Sequence, residues 1–195
     1  GEFTALVAAK VFTFEEGLRI VRKRAELMQN AVPSDKGAMA AILGLADSEV
    51  IKICQNLRAK GVIEAVNFNS PGQVVVAGEK NIIESSLEVF KSAGAKRAIV
   101  LPVSVPSHCS LMKEAANEFK EFLDAIVFEE PIFPVVQNFE AASYDQLDKI
   151  KDGLFLSIIQ SCKMDTNYRV YSSEKCKYFF RNWPRKSANK PWQKD

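Results

Sequence analysis

The histidine at position 108 is the only one in the chain, and it is the first candidate for acid–base chemistry. An imidazole titrates near neutral pH, so it can take a proton from a nucleophile and return it later in a reaction. His108 precedes a segment whose apolar spacing predicts a helix over about 110–126. The positive end of that helix favours the neutral, proton-accepting imidazole. A structural histidine in a turn fits the same pattern, and it is the more common explanation for a lone histidine.

Arg24 is the second candidate, because it interrupts an apolar row on a predicted helix. The other residues of that row are Ile20, Leu27 and Ala31. Arginine presents a planar fork of donors that matches a carboxylate with two parallel hydrogen bonds. The alternatives are a side chain that extends along the surface to water and a structural ion pair, and periodicity alone favours them.

The cysteines do not form a metal-binding pattern. Cys54, Cys109, Cys162 and Cys176 include no Cys-x-x-Cys pair, and there is no second histidine, so no zinc site is predicted. Cys109 follows His108 directly and is a possible nucleophile, but a small buried thiol is the simpler interpretation. Free buried thiols are typical of a reducing cytosol.

The elements that must position these residues can be predicted from the apolar spacing. Thr13 and Glu16 form the pattern of a capping box, which predicts a helix start, and this helix extends to about Val32. Apolar residues recur along it at helical spacing: Phe14, Leu18, Val21, Ala25 and Met28.

The segment 36–104 has the pattern β-α-β-β-α-β, which is the order of a ferredoxin-like unit. The predicted strands cover 39–43, 62–68, 74–77 and 98–103, and the predicted helices cover 47–60 and 81–93. Outside this unit the pattern predicts a helix over 1–10, a strand over 132–139 and a helix over about 144–156.

Composition is that of an ordinary soluble protein, with 47% hydrophobic and 26% charged residues and no apolar run long enough to span a bilayer.

The charge changes sharply near the end of the chain. Residues 157–195 contain nine basic and three acidic residues, whereas the rest contains 17 basic and 21 acidic residues. A basic arm that binds nucleic acid or a membrane is one interpretation of this tail.

Four segments carry a resemblance to a known family: Gly1–Leu6, Gly37–Leu45, Val66–Gln73 and Leu101–Cys109. Together and in this order, they resemble the malonyl-CoA:acyl-carrier-protein transacylases, and the match extends from residue 1 to about 154. In that family the nucleophilic serine lies in a Gly-His-Ser-x-Gly-Glu motif, so Gly1 and Glu2 resemble its last two residues.

The resemblance implies a ping-pong acyl transfer, in which a serine takes malonyl from coenzyme A and passes it to the phosphopantetheine thiol of acyl carrier protein. It implies no metal or cofactor. The implied fold is α/β, with a partial α/β-hydrolase-like acyltransferase core from 1–35 and 105–156 and an inserted ferredoxin-like subdomain from 36–104. The implied location is cytoplasmic, with malonyl-CoA and acyl carrier protein as partners and neither nucleic acid nor a membrane.

The resemblance also assigns roles to three residues. His108 aligns with the catalytic histidine, which accepts the proton of the serine. Arg24 aligns with the arginine that binds the malonyl carboxylate. Met28 lies one helical turn after Arg24, so we expect it to line the same pocket, with core packing as an equal alternative.

The family motif places the serine before Gly1, and the glutamine-bearing segment of the oxyanion hole lies further upstream. We therefore expect this chain to be a carboxyl-terminal fragment without transacylase activity of its own. The alternative is a non-catalytic binding module that keeps the ferredoxin-like unit.

The tail departs from the family from about Ser157. Where the family has a Glu-x-Gly-Pro-Gly motif, this chain has residues 181–190, and codons for these residues read one nucleotide later can encode that motif. Codons for residues 157–171, read with the same shift, can also encode a family-like sequence. We infer a frameshift near 154–157 and expect 157–195 to be an aberrant, poorly ordered tail, because its apolar residues follow no sustained period.

Overall fold

The computed structural model describes residues 1–103 and 105–161. Its helices are α1 (Glu2–Ala8), α2 (Phe14–Asn30), α3 (Asp47–Leu57), α4 (Lys80–Ser92), α5 (Lys113–Asp124) and α6 (Leu147–Ile159). Its strands are β1 (Gly37–Leu43), β2 (Ile63–Ser70), β3 (Gln73–Glu79), β4 (Arg97–Val100), β5 (Val136–Gln137) and β6 (Ala142–Ser143). Short 3-10 turns cover Arg58–Lys60 and Ser110–Met112.

The predicted capping box is confirmed at the start of α2. The backbone N–H of Glu16 donates to the Thr13 hydroxyl at 3.2 Å, and the backbone N–H of Thr13 donates to the Glu16 carboxylate at 3.1 Å. These bonds satisfy two N–H groups that a helix start leaves without partners. They fix the beginning of the helix that carries Arg24.

The four-stranded sheet lies between residues 37 and 100 and has the strand order β2-β3-β1-β4, with every neighbouring pair antiparallel. Helices α3 and α4 pack against it and share one apolar core with its strands, in which Ile42, Val76 and Phe90 are fully buried. The elements from β1 to β4 follow the predicted order β-α-β-β-α-β.

Gly78 allows strands β2 and β3 to approach closely. A Cβ atom at this position would overlap the carbonyl oxygen of Val62 and lie 2.7 Å from its carbonyl carbon. Because these are backbone atoms of the neighbouring chain segment, they cannot move without disturbing the strand pairing. We therefore expect Gly78→Ala to lower the free energy of unfolding by about 3 kcal/mol, the upper end of the overpacking range, as measured by urea denaturation.

Ala65→Gly, in the adjoining strand β2, is the matched control for Gly78→Ala. It removes a Cβ instead of adding one, so it should cost no more than about 1 kcal/mol. Equal losses in the two variants would contradict the steric explanation.

The second core lies between helices α1, α2, α5 and α6. Its fully buried residues include Leu6, Ile20, Phe119, Leu123 and Ile158. Helix α6 ends at Ile159, so it continues past position 157, where we expected the aberrant tail to begin. Ser157 and Ile158 are buried, and this burial stabilises the last turn of the helix. The tail residues 162–195 lie outside the described part of the chain.

The buried face of α2 differs from the apolar row in the sequence. Phe14, Leu18 and Val21 are exposed, and the buried positions are Gly17, Ile20, Leu27 and Met28. Gly17 explains the difference, since a Cβ there would lie 2.6 Å from Val7 Cγ2. The missing side chain at Gly17 allows α1 and the Phe12 ring to pack on that face.

The strand predicted over 132–139 is wrong in extent. Only Val136 and Gln137 form a strand, and they pair with Ala142 and Ser143. The apolar run of this segment predicts burial, but Ile132 and Phe133 are largely exposed.

Among the described helices, none has the length and apolar character needed to cross a membrane.

Candidate active site

A cavity of about 320 Å³ lies where α1, α2, β2 and the end of α6 meet. Its lining residues are Gly1, Glu2, Phe3, Arg24, Asn67, Asn69, His108, Asn138, Phe139, Ser157, Gln160 and Ser161. The fold thus brings Arg24 and His108 to one cavity, although 84 positions separate them in the sequence. Met28 does not line this cavity; it belongs to the helical core and is 7% exposed.

His108 caps the carboxyl end of helix α6. The last carbonyl groups of a helix have no partners within it, and His108 satisfies two of them. Its backbone N–H donates to the Ile158 carbonyl at 3.0 Å, and its ring Nδ1 lies 2.6 Å from the Ser157 carbonyl oxygen. The backbone of His108 has a φ of 66°, a left-handed conformation that histidine adopts more readily than most residues.

The Ser157 carbonyl determines which ring nitrogen of His108 carries a proton. A carbonyl oxygen only accepts hydrogen bonds, so Nδ1 must be the protonated nitrogen. In the neutral ring this leaves Nε2 with its lone pair, which is the arrangement that a general base requires. His108 is therefore oriented as a proton acceptor by backbone atoms.

The pKa of His108 is lowered from its ordinary value of 6.5, chiefly because burial disfavours the charged ring. The bond to the Ser157 carbonyl raises the pKa, and the positive charge of Arg24 lowers it. The sequence led us to expect this lowering from the start of a helix. The helical segment begins with the 3-10 turn Ser110–Met112 and continues as α5, and burial is the largest cause of the lowered pKa.

Arg24 is half-buried, and its Nε is enclosed without a hydrogen-bond partner in the described part of the chain. The guanidinium lies over the Phe3 ring, 5.9 Å from its centroid. Burial lowers the pKa of Arg24, and the nearby Glu2 carboxylate opposes that effect. A buried donor without a partner costs free energy, and a bound carboxylate would satisfy it.

Asn67 is a cavity residue that the sequence reasoning did not assign. Its Oδ1 is buried without a hydrogen-bond partner among the described residues. The register of β2 against β3 shifts between Ala65 and Asn67 and again between Phe68 and Ser70. Such bulges redirect side chains and are common beside functional sites. The asparagines of the segment 66–73 were the available signal, but the bulges cannot be read from the sequence.

Cys109 lies beside His108 in the sequence but is not suited to act as a nucleophile. It is fully buried, and its Sγ donates to the Pro106 carbonyl at 3.0 Å. Burial raises its pKa to about 12, which keeps the thiol protonated and unreactive. Within the described ranges, no three His, Cys, Asp or Glu side chains are placed to hold a metal ion.

Residues 1–177 match the model of the acyl transferase domain family. The chain belongs to this acyl transferase family. A malonyl CoA-acyl carrier protein transacylase from Escherichia coli K12 is 49% identical to it over 154 residues, which are 79% of this chain and 50% of that relative. The acyltransferase chain thus spans about half the length of the curated relatives it matches.

Solved structures show the same relationship for this acyltransferase chain. An acyl carrier protein S-malonyltransferase from Vibrio cholerae has a TM-score of 0.85 and 43% identity, over 88% of this chain and 56% of that one. A malonyl-transacylase solved in complex with its type II PKS acyl-carrier protein has a TM-score of 0.85 and 41% identity, over 88% and 56% of the two chains. The α/β architecture of this acyltransferase is therefore that of malonyltransferase structures.

Proposed function

We propose that this acyltransferase chain serves the transfer of malonyl from coenzyme A to acyl carrier protein through a seryl ester, as part of fatty-acid synthesis in the cytoplasm. The observation that carries the proposal is the pairing of two groups in one cavity. His108 is oriented by a bond at Nδ1 that leaves Nε2 as the proton acceptor, and the buried Nε of Arg24 has no hydrogen-bond partner among the described residues. The names of the related proteins agree with this chemistry.

The proposal includes a fold in two parts. The strand order β2-β3-β1-β4, with crossovers through α3 and α4, supports a ferredoxin-like subdomain over 36–104. Residues 1–35 and 105–156 would then belong to an α/β-hydrolase-like core. The cavity lies between the two parts, because β2 supplies Asn67 and Asn69 whereas α2 supplies Arg24.

The chemistry needs a serine at the position that the family motif places just before Gly1. His108 Nε2 would take the hydroxyl proton while the serine oxygen attacks the thioester carbonyl of malonyl-CoA. The carbon–sulfur bond breaks, and the coenzyme A thiolate takes the proton from the imidazolium. The thiol of acyl carrier protein then attacks the seryl ester in the reverse sequence, and the serine regains its proton.

Arg24 would select the acyl group. A malonyl donor carries a free carboxylate that can form charge-assisted hydrogen bonds with the guanidinium, whereas an acetyl donor does not. The Phe3 ring contacts the guanidinium from one side, with Cζ 5.9 Å from the ring centroid. This arrangement favours dicarboxylic acyl groups.

The test is an acyltransferase domain completed with the segment that precedes the matching region in the Escherichia coli relative, joined to residues 1–161 of this chain, so that the end of α6 that holds His108 is kept. With labelled malonyl-CoA we expect a protein-bound ester and then transfer of the label to acyl carrier protein. The control is the same domain with its upstream serine changed to alanine, which should form no ester. A folded domain that binds malonyl-CoA without forming an ester would support the non-catalytic binding module instead.

A further inference from the structure

Glu2 is a buried carboxyl group that the proposed chemistry does not use. It is 7% exposed and lies in the first turn of α1, at the wall of the cavity that contains Arg24 and His108. Its Oε1 accepts a hydrogen bond from the backbone N–H of Asn138 at 3.3 Å. A buried carboxylate is costly unless charges or hydrogen bonds compensate it, so its place in this wall needs an explanation.

The positive charge of Arg24 stabilises the ionised carboxylate of Glu2. The two side chains form no direct ion pair in the described part of the chain. The two groups act on each other through space: Arg24 favours the ionised form of Glu2, and Glu2 favours the charged form of Arg24. The neighbouring residue of α1, Phe3, contacts the same guanidinium with its ring. The first turn of α1 thus holds Arg24 by a ring face and by a charge.

Gln137 is a further buried side chain beside Glu2, and its amide favours the ionised carboxylate. Its side chain lies within hydrogen-bonding reach of the Glu2 carboxyl, and its Nε2 donates to the Ile150 carbonyl at 2.9 Å. Its Oε1 is buried without a donor among the described residues. Gly153 leaves the space for this amide, since a Cβ there would lie 2.6 Å from Nε2. This amide does not offset the burial of Glu2, which has the larger effect on its pKa.

We propose that Glu2 is a positioning residue for Arg24, and that a ligand carboxylate bound at Arg24 is accompanied by uptake of one proton on Glu2. The proposal rests on the proposed function, because it takes the ligand to be an acyl group with a free carboxylate. In the free protein, the Arg24 guanidinium stabilises one carboxylate, that of Glu2. When a second carboxylate binds to Arg24, two negative charges share a single cation in a partly dry cavity, and protonation of Glu2 removes one of them.

Burial already raises the pKa of Glu2 to about 7, against the opposing effects of Asn138, Arg24 and Gln137. A ligand carboxylate on Arg24 raises this pKa further, so it binds preferentially to the protonated form. Affinity for malonyl groups is therefore highest below about pH 7 and falls as the pH rises towards the pKa of the liganded state. Acetyl groups, which lack the carboxylate, show no such dependence on Glu2.

The other charged groups that face Glu2 do not reproduce this behaviour. Arg24 stays charged across the whole range. The lowered pKa of His108 places its protonation below 6.5, outside the pH window concerned. The amino group of Gly1 also acts on Glu2, but a Glu2→Gln variant retains it and therefore shows its separate contribution.

The experiment follows the carboxyl carbon of Glu2 by NMR in the full 195-residue chain, labelled with carboxyl-13C glutamate. The resonance is assigned by its loss in Glu2→Gln. We expect a titration midpoint near 7 and a rise of about one pH unit in Arg24→Gln, since a compensating cation is lost. Arg22→Gln, which alters an exposed arginine two positions earlier, should leave the midpoint unchanged.

The ligand arm compares malonyl-CoA with acetyl-CoA. Malonyl-CoA should raise the Glu2 midpoint and acetyl-CoA should not. A midpoint near the ordinary 4.5, or equal midpoints in Arg24→Gln and Arg22→Gln, would overturn the role of Glu2 as a positioning residue. An equal rise with both ligands would overturn the proton uptake. If neither ligand changes the spectrum, the proposed function fails, and the free chain alone still decides the Glu2–Arg24 coupling.

Discussion

His108→Ala in the completed acyltransferase domain is expected to slow formation of the malonyl ester by a hundredfold or more, roughly the contribution of a general base. The variant removes the ring nitrogen Nε2, which the bond at Nδ1 leaves as the proton acceptor. The measurement is the rate of serine acylation by labelled malonyl-CoA in single turnovers. In the unaltered domain, activity should be lost on acidification only below pH 6.5, because burial lowers the pKa at which His108 becomes charged.

Two control variants separate this chemical role from packing. Ser157→Ala should acylate at nearly the parental rate, since His108 is held by the backbone carbonyl of Ser157 and not by its hydroxyl. The Ser157 hydroxyl donates instead to the Leu154 carbonyl at 2.7 Å. Cys109→Ala should likewise retain acylation per folded molecule. A parental rate in His108→Ala would assign the histidine to its structural role at the end of α6.

Arg24→Ala is expected to remove most of the preference for malonyl over acetyl donors. Loss of one partner from a desolvated charge pair costs about 2–4 kcal/mol, which corresponds to about a 30- to 1,000-fold loss of discrimination. The measurement is the ratio of kcat/KM for malonyl-CoA to that for acetyl-CoA. The malonyl value should fall, and the acetyl value should change little.

Arg22→Ala is the matched control for the Arg24 variant. Arg22 lies on the same helix but has 82% of its side chain exposed, where it pairs with Glu26. An exposed pair of this kind contributes little, so the donor preference should not change. An unaltered preference in Arg24→Ala would remove Arg24 from the acyl-binding site and leave it as a structural cation.

Local sequence patterns predicted the elements well because their causes are local. The capping box of Thr13 and Glu16 needs only residues three positions apart, and the alternation of strands and helices from 37 to 100 follows side-chain spacing. The resemblance supplied Arg24 and His108. Without it, periodicity favoured the structural alternative for Arg24 and the usual role of a lone histidine favoured it for His108, because neither reveals which side chains share a cavity.

The remaining features depend on contacts between distant segments. Three apolar residues of α2 that share a row in the sequence, Phe14, Leu18 and Val21, are exposed because Gly17 marks the face where α1 packs. Glu2 is an ordinary carboxylate in the sequence, and its burial against Asn138 spans 136 positions. The position of Met28 in the core was the alternative that its apolar spacing had left open.

The capping of α6 by His108 determines how this part of the proposed active site tolerates mutation. Every amino acid supplies the same backbone carbonyl, so any small residue at position 157 can orient the imidazole. The contact depends on the length of α6 and on the rotation of its last turn, and it does not depend on which side chain stands at position 157. Inserting one residue between 147 and 157 would rotate that carbonyl by about 100° around the helix axis and separate it from His108. Among related sequences, we therefore expect different small residues at position 157 but no insertions or deletions within α6.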